Sequence, residues 1–231
     1  MSSNITSDFH HISVLLSPSV EHLCSDRAGI FLDCTLGAGG HSKALLDAHP
    51  DNIVYGIDRD PQALAAAKER LKEYSDRFRS FHGSFAEVLP QFDAEFFDGI
   101  LLDLGVSSPQ LDQANRGFSF QKEGPLDMRM NPERGVPASE WLNTVEEAEL
   151  ANIIYHYGEE PRSRRIARAI IANRPFSTTI ELAELVRTAS QYRNSKTHQA
   201  TRTFQAISIA INQELDQLKT ALPLALEKLK T

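Results

Sequence analysis

Short apolar runs that end in an acid alternate with helical spacing through the first hundred residues of the chain. Ile30-Phe-Leu-Asp33 is such a run, followed by a glycine-containing loop and a helical pattern over His41–Ala48. Ile53-Val-Tyr-Gly-Ile57 is a second, again closed by an acid, Asp58. Asp60 and Pro61 then supply matched helix-start signals, an acid at the N-cap and a proline at the first helical position, for a helix through Tyr74. Arg79-Ser-Phe-His82 reads as a weaker third strand. Phe97-Asp-Gly-Ile-Leu-Leu-Asp103 is a strong fourth, with a continuous apolar centre suited to a sheet covered on both faces. Strands alternating with helices predict an α/β fold with a doubly wound, mostly parallel sheet.

The alternation stops after Asp103. Gly105–Pro137 is rich in Gly, Pro, Ser, Asn and Asp without a sustained period, and is expected to be mostly loop. Beyond it the spacing predicts helices over Ser139–Leu142, Val145–Tyr155, Ser163–Asn173, Thr179–Ser190 and Thr201–Lys219. The last carries Phe204, Ile207, Ile211, Leu215 and Leu218 at the three-four spacing of one buried face. Pro223 is expected to kink or restart it. No repeat or low-complexity tract is evident. The expected layout is a sheet domain over 1–109, a mainly helical insertion over 110–200, and a helix over 201–231 that returns to the sheet.

At 231 residues with 41% hydrophobic and 24% charged positions, the chain has the composition of a globular protein and not of a disordered one. No apolar run approaches the roughly 20 residues that span a bilayer. The start, Met1-Ser-Ser-Asn-Ile-Thr-Ser-Asp8, has neither a basic nor an apolar leader region, so a cytoplasmic protein without a membrane partner is expected. Cys24 and Cys34 form no CxxC pair and no cluster with His, so two reduced thiols and no metal are expected. Net charge is −7, yet Gly158–Arg202 carries nine bases (Arg162, Arg164, Arg165, Arg168, Arg174, Arg187, Arg193, Lys196 and Arg202) against four acids. A +5 segment in a chain whose remainder is −12 is either a solvated helical face or a phosphate-contacting surface.

Three strings carry candidate chemistry. In Asp33-Cys-Thr-Leu-Gly-Ala-Gly-Gly-His-Ser42 the glycines let the backbone turn sharply where strand one meets a helix, and free helix N–H groups favour polar ligand atoms. Asp58, 18 residues after Gly40, is placed to accept from two ribose hydroxyls. The pair indicates an adenosine-type ligand, while Ser42 stands where a dinucleotide fingerprint needs its third glycine. Asp103-Leu-Gly-Val-Ser-Ser-Pro-Gln110 lies at the carboxyl end of strand four, beside strand one at the expected switch point. Acids there followed by a proline-containing loop suit transfer of a methyl group to an exocyclic amine. Such an amine is a poor nucleophile because its lone pair is conjugated into the ring. Acceptors aimed at its N–H groups favour the tetrahedral form, and positioning supplies most of the rate. Asp103 could equally cap a turn or hold the cofactor. Arg116–Phe120 and Gly124–Met130 combine aromatic, methionine and arginine residues, either to stack on an unpaired base or to pack a loop over the crevice.

Together these strings resemble the 16S ribosomal RNA cytosine-N4 methyltransferases known as MraW or RsmH. The matching stretches are His11–Leu16, Thr35–Ser42, Gly56–Gln62, Gly99–Leu111, Arg116–Phe120, Gly124–Met130, Arg165–Ala169 and Ala200–Ala206, in order along nearly the whole chain. The resemblance implies a class I, Rossmann-like S-adenosylmethionine fold with an inserted helical substrate-recognition domain. It implies that Gly39, Gly40 and His41 line the cofactor's methionine end, that Asp58 takes the ribose hydroxyls, that Phe85 and Asp103 flank the adenine side, and that Gln110 closes the site. Asp103 and Ser108 are the candidates for contact with the cytosine amine. The implied partner is the 16S ribosomal RNA of the small ribosomal subunit; monomer and homodimer both stay open.

The chain departs from the family pattern at Pro18, where glutamate is usual, at Gln199, where proline is usual, and at Ser208, where arginine is usual. Losing that arginine near the expected RNA face should weaken binding modestly. Family members also continue beyond the long helix into further sheet, so the resemblance predicts a sheet incomplete at the C-terminus, an open edge beside strand four and a poorly stable chain. Two alternatives remain: a catalytically inactive fragment that binds cofactor or RNA, and an NAD-dependent oxidoreductase. Methyl transfer to RNA separates the first from an enzyme, and nicotinamide binding would favour the second.

Overall fold

The computed structural model describes residues 13–24, 27–191 and 198–230. Two compact units divide the chain: one runs to Leu104 and resumes at Pro223, and the other spans Gly105–Leu222. The sequence pattern predicts divisions at 109/110 and 200/201 instead.

The first unit opens with a helix that the sequence pattern did not announce, α1 (Leu16–Leu23), with Pro18 in its first turn, where no helical N–H is lost. Then follow β1 (Ile30–Asp33), α2 (Gly40–Ala48), β2 (Ile53–Asp58), α3 (Pro61–Arg70), β3 (Phe78–His82), the short α4 (Phe85–Val88) and β4 (Gly99–Leu101). The sheet is parallel in the order β3-β2-β1-β4, so β1 is central and chain order reverses between β1 and β4. Phe31 and Leu32 point to opposite faces yet are both buried, which is why β1 reads as a continuous apolar run. On one face Phe31, Val54 and Phe78 pack with Leu45, Leu46, Leu64 and Leu71, and with Val20 and Leu23 of α1. Tyr55 and Phe81 join Phe92, Phe96 and Phe97 in a cluster with ring centroids 4.9–6.2 Å apart.

The fourth strand is shorter than its apolar run, and just before it Asp98 accepts from the Ile30 N–H (2.7 Å) and from Lys230 (2.8 Å). β4 is the edge of the described sheet. Its approach is covered by one parallel bridge, Phe97 to Leu229, with the Lys230 N–H donating to the Phe97 carbonyl (2.9 Å).

The second unit contains α5 (Ser108–Asp112), α6 (Ala138–Thr144), α7 (Glu147–Gly158), α8 (Ser163–Asn173), α9 (Thr179–Ser190), α10 (Thr201–Ile211) and most of α11 (Glu214–Lys228). Its core gathers Leu150 and Ile154 of α7, Ile166 and Ile170 of α8, Leu182 and Val186 of α9, and Phe204 and Ile207 of α10. The loop between α5 and α6 belongs to that core. Phe118, Leu126, Met128 and Met130 are buried, and the Arg116 guanidinium donates to the carbonyls of Arg129 (3.1 Å) and Met130 (2.9 Å). Of the two readings that the sequence leaves open for these residues, burial favours packing: Arg116, Phe118 and the two methionines hold the loop.

Thr201–Lys219 is not one helix. It breaks at Gln213, which is left-handed (φ 51°), and α11 then runs through Pro223 without restarting. The cause is Asn212, 7% exposed, whose amide donates to the carbonyls of Met128 (2.8 Å) and Ser208 (2.9 Å) and accepts from the Met130 N–H (2.8 Å). Two buried hydrogen bonds to a loop more than eighty residues away, beside the one to Ser208, outweigh the helical pattern. Replacing Asn212 with Ala is expected to cost about 2–4 kcal/mol, read as a lower urea midpoint. Asn212→Asp should be at least as damaging at neutral pH, since a carboxylate cannot donate to two carbonyls; a wild-type midpoint for both would contradict this role.

Candidate active site

All four parallel strands end on the same side of the sheet, and three of the carboxyl ends lead into an acid. Asp33 closes β1, Asp58 closes β2, and Asp103 follows β4 by two residues. Asp33 is 1% exposed and accepts from the Ser42 hydroxyl (2.8 Å) and the Thr35 N–H (3.1 Å). Burial pushes its carboxyl above the usual range, with the Ser42 and Thr35 hydrogen bonds and His41 opposing that shift. Ser42, which in the sequence only interrupts a glycine fingerprint, thus holds the central acid in place. Cys34 beside it is buried, and burial followed by the charge of Asp33 raises its thiol, so it is not a ready thiolate.

Asp58 accepts from the N–H of Gly37 (2.7 Å) and of Asp60 (2.8 Å), one on each carboxylate oxygen. It thereby ties the glycine turn after β1 to the start of α3, and each oxygen keeps a lone pair for a further donor. Burial raises Asp58 to about 6, against the pull of those two N–H groups. Its own ionisation therefore works against folding as pH rises from about 4 through 6, the opposite sign to a salt-bridged aspartate.

Gly39 caps α2 in the left-handed region (φ 78°), where glycine carries no penalty. At Gly40 a Cβ would strike the Ser13 hydroxyl, so the segment before α1 lies directly on this glycine. His41 is 5% exposed and its Nε2 lies 3.1 Å from the Val14 carbonyl. A carbonyl only accepts, so Nε2 carries the proton and Nδ1 is left facing Asp103, whose carboxylate is 3.9 Å away and about half exposed. The Asp103 N–H donates to the Thr35 hydroxyl (2.7 Å), which fixes the chain as it leaves β4. Phe85, half-buried, opens α4 behind the Ser84–Glu87 capping box, and the Gly83 N–H donates to the Asp58 carbonyl (3.0 Å).

Of the residues singled out in the sequence, Gly39, Gly40, His41, Asp58, Phe85 and Asp103 all fall in the first unit, on the turns that leave the sheet. Ser108 and Gln110 fall in the second, on α5, where the buried Gln110 side chain accepts from the Ser107 N–H (3.0 Å). Sequence reasoning missed Ser13, Val14, Thr35 and Ser42 as working parts; none has a spacing that announces a partner so distant along the chain. No described group of His, Cys, Asp and Glu could hold a metal. No described helix is long and apolar enough to cross a membrane. A cavity of about 140 Å³ in the helical unit, lined by Trp141, Tyr157, Glu149 and Asp216 among others, is smaller than the roughly 300 Å³ that a drug-sized ligand needs.

The basic segment is only partly available. Arg174 is spent on the carbonyls of Leu142 (3.2 Å) and Val145 (3.1 Å), and Arg162 on that of Ser190. Arg165 donates to Gln191, Arg168 pairs with Glu147 (3.6 Å), and Arg202 donates to the Glu159 carbonyl (3.2 Å). Arg164 and Arg187 are exposed on α8 and α9 with no partner among the described residues. Arg193 and Lys196 lie outside the described residues, as do His11 and Ile12 of the first matching stretch. Ser208, where arginine is usual in the family, is 6% exposed and donates to Glu214 (3.4 Å). Removing the Ser42 hydroxyl leaves one oxygen of the buried Asp33 short of a donor; Ser42→Ala is expected to lower stability by about 1–3 kcal/mol in chemical denaturation, and an unchanged midpoint would refute the bond's importance.

Residues 8–231 match the model of the MraW methylase family. Ribosomal RNA small subunit methyltransferase H of Synechococcus elongatus is 53% identical over 222 residues, which are 95% of this chain and 74% of that protein. The protein of the same name from Acinetobacter baumannii strain ATCC 17978 is 53% identical over 225 residues, 95% of this chain and 73% of the relative. Among solved structures, an rRNA methylase from Streptococcus thermophilus aligns with a TM-score of 0.31 and 20% identity, covering 37% of this chain and 52% of that one. That value is too low to carry an argument. The family match over nearly the whole sequence and the identity to these relatives lead to one conclusion: the chain belongs to the MraW methylase family.

Proposed function

We propose that this chain is an S-adenosyl-L-methionine-dependent methyltransferase that methylates the N4 exocyclic amine of a cytidine in the 16S ribosomal RNA of the small ribosomal subunit. The observation that carries the cofactor half is the Asp58 carboxylate bonded to the glycine turn through the Gly37 N–H, at the mouth of a parallel sheet. An adenosine ribose offers two hydroxyl donors, and Asp58 has an unused lone pair on each oxygen, so donor and acceptor counts match. Gly39, Gly40 and His41 would hold the methionine end, Phe85 and Asp103 would flank the adenine, and Gln110 would close the site. When bound, the cofactor supplies an electrophilic sulfonium methyl. The sequences of relatives named as small-subunit rRNA methyltransferases support the choice of substrate.

On this reading Asp103 meets the acceptor amine, and the family motif carries Ser108 as a second candidate. A carboxylate that accepts from the exocyclic N–H draws the amine away from planarity and localises its lone pair for in-line displacement. His41, with Nε2 committed to the Val14 carbonyl, lines the same turn as the Asp103 carboxylate, its Nδ1 3.9 Å away. The helical unit would recognise the substrate, with Arg164 and Arg187 as its free cations toward RNA phosphates. The cytoplasm is the compartment where such RNA is met.

Calorimetric titration with S-adenosylmethionine, with NAD as the control, tests the cofactor half. Binding is expected for the first ligand only, weakened at least about tenfold in Asp58→Ala, because two hydrogen bonds to a charged acceptor are lost. Affinity should also decline as pH falls through about 6, where Asp58 takes up a proton and one acceptor oxygen becomes a donor. Binding of NAD instead, or Asp58→Ala binding as tightly as wild type, would defeat the assignment. For the RNA half, Arg164→Ala and Arg187→Ala should each weaken small-subunit binding and reduce the slope of log K against log salt by about 0.7–0.9. An unchanged slope in both would remove them from the interface.

A further inference from the structure

The break at Gln213 is accompanied by a concavity in the helical unit. Trp141 of α6, Glu149 and Tyr157 of α7, Ala210 of α10 and Asp216 in the first turn of α11 line one cavity of about 140 Å³. Glu149 and Tyr157 lie two helical turns apart and so share one face of α7. Ala210 offers that space only a methyl group. Trp141 and Tyr157 are half-buried while Glu149 and Asp216 are exposed, so aromatic walls lead out to an acidic mouth. The polar groups here are unspent, unlike those of Arg116, Arg174 and Asn212, which are engaged with carbonyls. The Trp141 indole N–H, the Tyr157 hydroxyl and the Glu149 carboxylate have no partner among the described residues. Asp216 pairs with Lys219 (3.3 Å), but both side chains are more than two-thirds exposed, and a pair so exposed is worth little and yields to a better partner.

Size and charge select the occupant. A protein cavity of about 150 Å³ takes a single benzene, so this one has room for one planar side-chain group and not for a nucleotide. Two carboxylates at its mouth repel phosphate and attract a cation, and indole and phenol rings favour cations through the π system. Guanidinium meets both demands: it is planar, stacks on aromatic rings and donates to carboxylates through a fixed fork. On the functional reading above, the substrate particle is a ribosomal subunit, which carries protein as well as RNA. Proteins that hold RNA are rich in arginine because phosphate binding demands it.

We infer that this cavity seats an arginine side chain of a small-subunit protein, so that the helical unit holds its substrate particle through protein as well as through RNA. Trp141 and Tyr157 are the walls, and Glu149, with Asp216 released from Lys219, supplies the acceptors. The inference rests on the rRNA methyltransferase reading and adds a protein partner to it.

Trp141 is the single tryptophan of the chain, so its emission reports on the cavity directly. The full chain is titrated with a capped tripeptide that holds arginine between two alanines, and with the same peptide carrying citrulline, which keeps the shape and removes the charge. The expected result is a saturable change with the arginine peptide alone, its midpoint raised about fivefold or more in Glu149→Gln, where a charge-assisted hydrogen bond becomes a neutral one. No saturation, or the same response to both peptides, overturns the site. Glu149→Lys then identifies the partner by the sign of its effect. Glu149 is exposed and unpartnered, and thermal melting checks that both variants keep the fold. A protein arginine in the cavity predicts binding to small ribosomal subunits weakened about fivefold or more, with no weakening toward protein-free 16S RNA. Unchanged subunit binding overturns the inference; tighter binding also overturns it and puts phosphate there instead. Loss of self-association with subunit binding intact gives the cavity to a second copy and overturns it too. Methyl transfer to subunits by the unsubstituted chain is measured alongside. Transfer with an unresponsive cavity removes this inference alone; a responsive cavity in a chain that neither binds nor methylates subunits ends the functional reading, and the choice of partner with it.

Discussion

Parallel pairing on both sides of β1 is the constraint on which the site depends. It sets Asp33 level with Gly56 and Leu101, and so gathers the carboxyl ends of three strands with their acids at one edge of the sheet. Carboxylates so gathered disfavour one another and disfavour burial. Asp33 and Asp58 are both raised by burial, and each is raised further by a neighbouring acid, Asp103 and Asp60 respectively. The glycine turn, the Ser42 and Thr35 hydroxyls and His41 are the means by which this end of the sheet stays folded. The same N–H groups that stabilise Asp58 also hold it in a fixed attitude toward any ligand at the turn.

The helical unit is organised by a different principle. Its long loop between α5 and α6 has little secondary structure, and polar side chains take over the pairing of its backbone groups. Arg116 and Asn212 bind loop carbonyls from inside the core, while Phe118, Leu126, Met128 and Met130 fill the space beneath the helices. An arginine used in this way is withdrawn from any surface role. Arg174 and Arg162 are withdrawn in the same way, so the count of bases over Gly158–Arg202 overstates the cationic surface, and Arg164 and Arg187 carry more meaning than the charge total.

Much of the fold was legible because its signals are local. Asp60-Pro61 opened α3 as read, since an N-cap acid and an N1 proline act within one turn. The three longer strands appeared where the apolar runs placed them, and the helices α8 and α9 matched their spacing to the residue. The break before α11 was not legible, because Asn212 acts through partners at Met128 and Met130. The contact of the segment before α1 with the glycine turn was not legible either: nothing in Ser13-Val14-Leu15 states that a histidine 27 residues later will meet the Val14 carbonyl.

The sequence by itself determined the parallel α/β sheet, the glycine turn, the acids at the strand ends and the family, since each is written in short-range pattern or contiguous motif. Tertiary structure alone decided which of those acids are buried, which arginines are free, where the last helix breaks and what lies against Gly40. Those outcomes depend on groups far apart in the chain competing for the same few hydrogen bonds. The free energy of such a bond is set by burial and geometry, and neither exists until the chain has folded.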